Sequence, residues 1–456
     1  MQDYMLNRLV AHLSRQSLAI NVAAPLISIS ALVGACPIVA AELDYNLQGH
    51  LKGIANYQQF STDSLHDELG YRQVADLNSD TRINFKAYFG TWQVDTDYQL
   101  TSIYGDTQRL ANQQPSNSLL PAALINDQQR LFDLTHTVTA QDNYALVHRL
   151  DRAVISYVKD ALVVKLGRQA ISWGNGLIYA PMDLFNPFSP SSIDKEYKTG
   201  DDMLYAQYLT DSGNDLQLVW VARRDERGNV DGEVDSVAVK YHLFSDNLEW
   251  DILLADHYQD HVFGLGNITN IGGAVWRSDL VYTRTGCYAD ANRNIGSDYD
   301  SNSVWSFVSN WSYSWMLADK NASALIEYHY NGFGQSNGDY SLSGLENNPA
   351  LLARLARGEL YTLGQHYLAG SVTVEISPLW LIIPNVFTNL SDHSGLIQLL
   401  SQHDLQQDLQ LIVALNIPMG AKGSEFGGIP IVNPMTFNPS YLEPEYSVFA
   451  QLAWYF

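Results

Sequence analysis

The stretch LDYNLQGHLKGIANY, residues 43–57, decides how this chain folds. Its odd positions (Leu43, Tyr45, Leu47, Leu51, Ala55, Tyr57) are mostly apolar, and its even positions (Asp44, Asn46, Gln48, His50, Lys52, Asn56) are mostly polar. A period of two places the two sets on opposite faces of an extended strand. The pattern recurs along the chain. Ile83, Phe85, Ala87 and Phe89 alternate with Arg82, Asn84 and Lys86. Trp305, Phe307, Trp311, Tyr313 and Trp315 alternate with Ser306, Asn310, Ser312 and Ser314. The chain closes on Tyr446, Val448, Ala450, Leu452, Trp454 and Phe456 along one face.

Short turns and long connections alternate between these runs. Gly90-Thr91, Ser377-Pro378 and residues 158–161, 211–215, 245–247 and 316–321 are short. Residues 105–143, 174–201, 224–235, 284–302, 332–366 and 418–445 are long. The rhythm breaks only at 258–283, where a further strand at 262–270, turning at Ile271-Gly272, restores it. The total is then about 18 strands, with 16 the smaller alternative, in an antiparallel up-and-down β-barrel whose termini share the periplasmic end.

A soluble sandwich would also hide one face of each strand. Trp311, Trp315, Tyr328, Tyr330 and Trp454, however, gather near strand ends as an interfacial girdle does. A terminal Trp454-Tyr455-Phe456 in a soluble domain would expose apolar surface to no purpose. Within hydrocarbon, only a closed sheet pairs every backbone group. About 18 strands of ten residues use roughly 180 residues and enclose a lumen wider than side chains can fill. The expected fold is therefore all-β, a transmembrane barrel over residues 42–456 in the outer membrane of a Gram-negative cell. Its expected partners are outer-membrane lipid, lipopolysaccharide and a small solute. The terminal Phe456 resembles the signal by which barrel-assembly machinery recognises a closing strand.

Composition agrees. Charged residues are 16% of the chain, below the roughly 25% of globular domains, while aromatics reach 11%. Lys+Arg number 26 against 49 Asp+Glu, so the basic face that nucleic acid requires is missing. Cys36 and Cys287 form no disulfide framework, because the first lies in the leader. Residues 1–41 read as a signal peptide: Arg8 and Arg15, an apolar run over 18–35, then Val39-Ala40-Ala41 before Glu42.

If the apolar faces meet lipid, the others line a pore. That register gives the lumen Arg82, Lys86, Arg152, Lys165, Lys240 and Arg277, with Asp80, Asp95, Asp97, Glu249, Asp251, Asp279, Glu327 and Glu375. Bases concentrate on early strands and acids on later ones. Such an arrangement either sets a transverse field that selects solutes by charge or pairs across strands in a wet lumen.

Residues 162–202 carry the most information. A strand ends in Lys165-Leu166-Gly167-Arg168-Gln169, followed by Ile171-Ser172-Trp173-Gly174. This resembles the Gly-Arg-Gln signature of alginate-export-type porins, which implies an upward strand ahead of a functional loop. Alginate exporters have a heavily basic lumen, whereas acids outnumber bases here. Parity sends Arg168 with Leu166 to the lipid side unless Gly167 makes a bulge. At midplane a lipid-facing Arg costs about 2–4 kcal/mol. The following loop, 174–201, is long and apolar and is expected to fold inward as a constriction. Tyr179, Asp183, Phe185, Asn186, Asp194, Lys195 and Glu196 would edge the path, and Arg168 and Gln169 are expected among the residues that line the pore and set its selectivity. Asn348-Pro349 ahead of Ala350 to Arg357 predicts a short capped helix.

No catalytic residue, metal site or cofactor is expected. Gly334-Gln335-Ser336-Asn337-Gly338 fits a nucleophile-elbow string but lies in a Gly- and Asn-rich loop. Asp290, Asn292 and Asn294 begin like a calcium loop, but Ile295 and Ser301 replace the required Gly and Glu. The sequence reads as a porin-like diffusion channel for small polar, anionic or amphiphilic solutes. The alternative is a loop-plugged receptor or an export or assembly component.

Overall fold

The computed structural model describes residues 44–113, 124–245, 247–286, 303–432 and 439–456; the leader and residues 290–301 lie outside them. The first strands are β1 (Asp44–Phe60), β2 (Gln73–Phe89), β3 (Trp92–Gly105), β4 (Thr135–Ala140), β5 (Tyr144–Lys159), β6 (Leu162–Gln169) and β7 (Asp201–Leu209). Next come β8 (Asp215–Val221), β9 (Ser236–Ser245), β10 (Leu248–His257), β11 (Asp260–Ile271), β12 (Ala274–Arg284), β13 (Ser303–Leu317) and β14 (Lys320–Asn331). The last are β15 (His366–Ser377), β16 (Trp380–Asn389), β17 (Ser394–Gln406), β18 (Leu409–Met419), β19 (Pro430–Val432), β20 (Pro439–Tyr441) and β21 (Pro444–Tyr455).

Neighbours in the chain pair antiparallel, β18 pairs with β21, and β21 pairs with β1, which closes a ring of 18 strands. At the seam His50 faces Tyr455, and the Phe456 N–H and C=O both bond Gly49. β4 pairs only with β5, beyond the point where β6 stops, and β19–β20 form a separate hairpin. The barrel leaves no ladder edge, as hydrocarbon requires. No helix among the described residues is long and apolar enough to cross a membrane.

Tight turns such as Gly90-Thr91, Asp160-Ala161 and Ala318-Asp319 lie at one end, which also holds both ends of the barrel chain. The expected extra strand is β11. It is entered through Tyr258-Gln259, both in the left-handed region (φ 50° and 68°), and left at Gly272-Gly273. A two-residue turn at the long-loop end is what broke the rhythm there.

Leu47, Phe85, Leu166, Leu254, Trp311, Ile326, Leu415 and Trp454 are exposed on the outer wall, while Lys52, Arg82, Asp97, Asp279, Glu327 and Gln451 are buried inside. The inner wall is not polar throughout, which corrects the simple lipid/water division. Met203, Val219, Val221, Leu253 and Val281, on β7 to β12, form an apolar sector that takes up Trp173, Met182 and Phe185. Leu400, Ile412 and Ala414 form a second sector against Ile193. A long in-folded segment needs apolar surface to bury against, at about 1.5–3 kcal/mol per large side chain.

Long loops add α1 (Leu65–Glu68), α2 (Asp106–Gln113), α3 (Leu342–Glu346) and α4 (Pro349–Ala356). α4 is the expected helix; the Asn348 side chain accepts from the Leu351 N–H at 3.2 Å. Its Leu351 buries among Phe333, Tyr340, Leu345 and Leu363.

Candidate functional site

β6 ends at Gln169, and the chain stays inside the barrel until β7 begins at Asp201. Its contacts follow the ring order of the strands. The Trp173 indole donates to Gln217 on β8, and residues 175–179 reach Asp279, Asn310 and Glu327 on β12 to β14. Gln398 on β17 donates to the Ser191 carbonyl, Asp194 meets Lys52 on β1, and Arg152 on β5 donates to the Lys198 carbonyl. The segment therefore runs round the inner wall and narrows the lumen along most of its circumference.

On the acid side, backbone N–H groups hold it. Asp279 accepts from Asn175 N (2.6 Å), Asn175 Nδ2 (2.8 Å) and Gly176 N (3.3 Å). Glu327 accepts from Leu177 N (2.8 Å), Ile178 N (3.1 Å), Tyr179 N (2.6 Å) and Asn310 Nδ2 (3.1 Å). Successive N–H groups make an anion-binding concavity, here filled by wall carboxylates. Two glycines allow the approach. A Cβ at Gly176 would lie 1.8 Å from the Tyr179 carbonyl oxygen, and one at Gly266 on β11 would lie 2.5 Å from Asn175 Nδ2. Tyr179 then stacks on His329, with ring centroids 4.9 Å apart.

On the basic side, charged pairs hold it. Lys52 Nζ lies 2.6 Å from Asp194 and 2.7 Å from Glu196. The Tyr197 ring covers the Arg82 guanidinium at 3.9 Å. Behind it, Arg82, Arg149 and Arg152 all meet Asp151, at 2.7, 2.9 and 2.8 Å. The β3–β5 register shifts between Asp97 and Tyr98, so Arg149, Asp151 and Arg152 all turn inward. Arg149-Leu150-Asp151-Arg152, charged out of alternation, was the signal for this bulge; Arg149 and Asp151 were absent from the expected set.

Within the segment, Asp183 and Lys198 pair. Burial pushes Asp183 up to about 6 against the pull of Lys198, and burial pushes Lys198 down. Phe185 packs edge-on to Trp173, Asn186 is half-buried at φ 52°, and Lys195 and Glu196 are exposed.

The remaining expected residues divide. Lys240 pairs with Asp251 at 3.1 Å, and Asp95 accepts from Gln93. Lys86 is exposed, Lys165 lies 5.8 Å from the Tyr205 ring centre, and Arg277 donates to Ser312. The β5–β6 register runs unshifted through Gly167, so Arg168 keeps the parity of exposed Leu166. It is nonetheless buried: Asp127, Asp202 and the Phe132 carbonyl take its donors as residues 124–134 cover it. Burial would raise Asp127, but hydrogen bonds from Arg168, Thr135 and Arg130 hold it at about 2. Arg168 is thus a staple for that loop rather than a lumen residue, and Gln169, also buried, donates to the Met203 carbonyl.

No family model and no curated protein matches the chain. Among solved structures it is similar to OccAB2 of Acinetobacter baumannii, at 10% identity and TM-score 0.49, over 91% of this chain and 98% of that one. It is similar to OccK11 of Pseudomonas aeruginosa at 11% identity and TM-score 0.47, over 90% and 96% of the two chains. A BenF-like porin from Pseudomonas fluorescens gives 8% identity and TM-score 0.47, over 91% and 98%. Likeness this distant leaves function to be argued from the lumen itself.

Proposed function

We propose that the chain is an outer-membrane channel, without enzymatic activity, for passive or facilitated diffusion of small polar, anionic or amphiphilic solutes. The observation that carries this reading is the course of residues 170–200. A ring of 18 strands is wider than its own side chains can fill, and the segment lines it along the wall. Lys86, Lys165 and Arg277 face the lumen and make no ion pair among the described residues, so they remain available to a passing solute. Apolar sectors beside charged ones suit amphiphiles.

In this reading the termini are periplasmic, the long loops face lipopolysaccharide, and the Phe456 strand is offered to the assembly machinery. The finer likeness to alginate-export porins rests on Gly167-Arg168-Gln169. Because Arg168 serves the 124–134 loop, a polyanion gains nothing from it, and a small solute is favoured. The packed clusters around Phe185 and Leu351 favour a second reading, a plugged receptor. Planar-bilayer recording on refolded protein separates the two: steady open steps are expected, and a silent membrane with correctly folded protein refutes the channel.

A further inference from the structure

Near the long-loop end, a cavity of about 330 Å³ opens where six stretches of the chain meet. That volume falls at the lower end of the roughly 300–1,000 Å³ range of ligand pockets. Three guanidiniums converge on it from separate elements: Arg130 from the 124–134 loop, Arg223 after β8 and Arg357 after α4. Each already faces a carboxylate. Arg130 pairs with Asp127, Arg223 Nη2 lies 3.3 Å from Asp201, and Arg357 Nε lies 2.6 Å from Glu359. The balance is three against three, and Asp201 is buried. Each carboxylate has a second partner as well, Asp127 in Arg168, Asp201 in Arg130 and Glu359 in His257. An incoming anion therefore competes with fixed carboxylates for guanidiniums already committed to a balanced network and gains little net attraction. An incoming cation meets the same obstacle in reverse. The cavity does not select by net charge.

What it offers is hydrogen bonding from planar groups. Asn126, Gln128 and Gln129 are exposed on its rim and Asn186 is half-exposed, so amide donors and acceptors alternate with guanidinium N–H. The buried Arg130 Nε makes no hydrogen bond and lies 3.7 Å from the Asp201 carboxylate. Tyr258 stands between Arg223 and Arg357, with ring-centre distances of 4.5 and 4.3 Å, and keeps a left-handed backbone. The two-residue turn between β10 and β11 sets that conformation and holds the ring between the two guanidiniums. Leu184 and Ala356 supply a small apolar patch.

We propose that this cavity is a capture site for a neutral polyhydroxylated solute of mono- to disaccharide size, loaded before the solute reaches the 170–200 segment. Each hydroxyl both donates and accepts, and a vicinal diol spans a planar amide or guanidinium. The C–H face of a sugar covers Leu184 and Ala356. The inference rests on the channel reading only for what happens after capture.

Binding of maltose, glucose and glucuronate to the full-length protein in detergent, measured by calorimetry at low and high salt, tests the site without any need for conduction. Maltose is expected to bind with little salt dependence and at least as tightly as glucuronate. Q128A/Q129A, on the exposed rim, is expected to weaken it by about tenfold, and Tyr258→Gly, which keeps the backbone conformation, by at least as much. Glucuronate binding tenfold tighter than glucose at low salt overturns the proposal, as does absence of maltose binding or binding indifferent to both substitutions. Maltose binding by a protein silent in bilayers keeps the site and refutes the channel; conduction without maltose binding does the opposite.

Discussion

The two walls that hold residues 170–200 use opposite chemistry. Asp279 and Glu327 bind it through backbone N–H groups, and neither is paired with a cation among the described residues. Lys52 and Arg152, across the barrel, bind it through the Asp194 and Glu196 carboxylates and the Lys198 carbonyl. The same chain shows its N–H edge to one wall and its acceptors to the other. Lumen charges therefore divide by task. Those opposite the segment position it, and those beyond its reach face water.

Breaking the acid-wall attachment gives the largest expected effect. Glu327→Ala leaves three N–H groups without their acceptor, while the Asn310 amide keeps the Asn175 carbonyl. At roughly 1–3 kcal/mol for each unsatisfied buried donor, partly repaired by lumen water, the local loss is about 3 kcal/mol or more. Amide exchange at residues 177–179 should accelerate more than a hundredfold, with unitary conductance rising as the segment detaches. Unchanged protection there would show that the apolar cluster around Trp173 holds the segment alone.

The basic-wall counterpart should be weaker and salt-sensitive. Lys52→Met frees two carboxylates that are about a third exposed (31% and 35%), so water resolvates them. The cost is about 1 kcal/mol, and it shrinks as salt shortens the Debye length. Exchange at residues 194–198 in the native protein should rise between low and high salt, while that at 177–179 stays fixed. Equal salt response at both stretches would erase the distinction between the walls.

Much of the barrel was legible because alternation is a local property. β1, β13 and β21 are visible in a dozen residues each, and even β11 followed from the turn rhythm. The task of each lumen charge was not legible. Glu327 meets its partners from about 150 positions away in the chain, and nothing in periodicity reports that. Arg168 shows the limit most plainly. Parity placed it correctly beside Leu166, but the 124–134 loop that neutralises it folds back from outside any strand pattern. Arg149 and Asp151 were recoverable, since a charge run that breaks alternation signals a bulge.

Outside the spanning strands, Glu425 repeats the acid-wall mode and can be titrated. It accepts from Leu363 N (3.0 Å), Tyr367 Oη (2.6 Å) and Asn389 Nδ2 (2.7 Å), and burial pushes it up to about 7. Burial pushes neighbouring Glu443 to about 7 as well. Unfolded glutamate titrates near 4.3. Between those values the released chain gives up its proton while the folded one keeps it. The contribution to stability is therefore fully present below about 4.3 and is lost as pH rises through 7. Residues 420–429 should resist proteolysis better at pH 5 than at pH 8, and Glu425→Gln should flatten that difference. Resistance that rises with pH would reverse the assignment.

The smallest expected effect is the most selective, because it separates the two tasks of charge within the basic sector. Arg82 and Arg152 belong with Asp151 behind Tyr197, so a change there alters structure first. Arg82→Gln leaves Asp151 with Arg149 and Arg152, so the loss is that of one charged hydrogen bond in a buried network, about 2 kcal/mol. Lys86→Gln with Lys165→Gln disturbs no ion pair, so stability should move by less than about 0.5 kcal/mol. Both lysines face lumen water, and their loss should shift the reversal potential toward cation preference by a few millivolts in a salt gradient. The outcomes should cross: folding falls for the arginine variant, while selectivity shifts with folding intact for the lysine pair. A lysine pair that leaves the reversal potential unchanged would place the conducting path elsewhere than along β2 and β6, and a selectivity shift from Arg82→Gln with full stability would put the path under Tyr197 instead of over it.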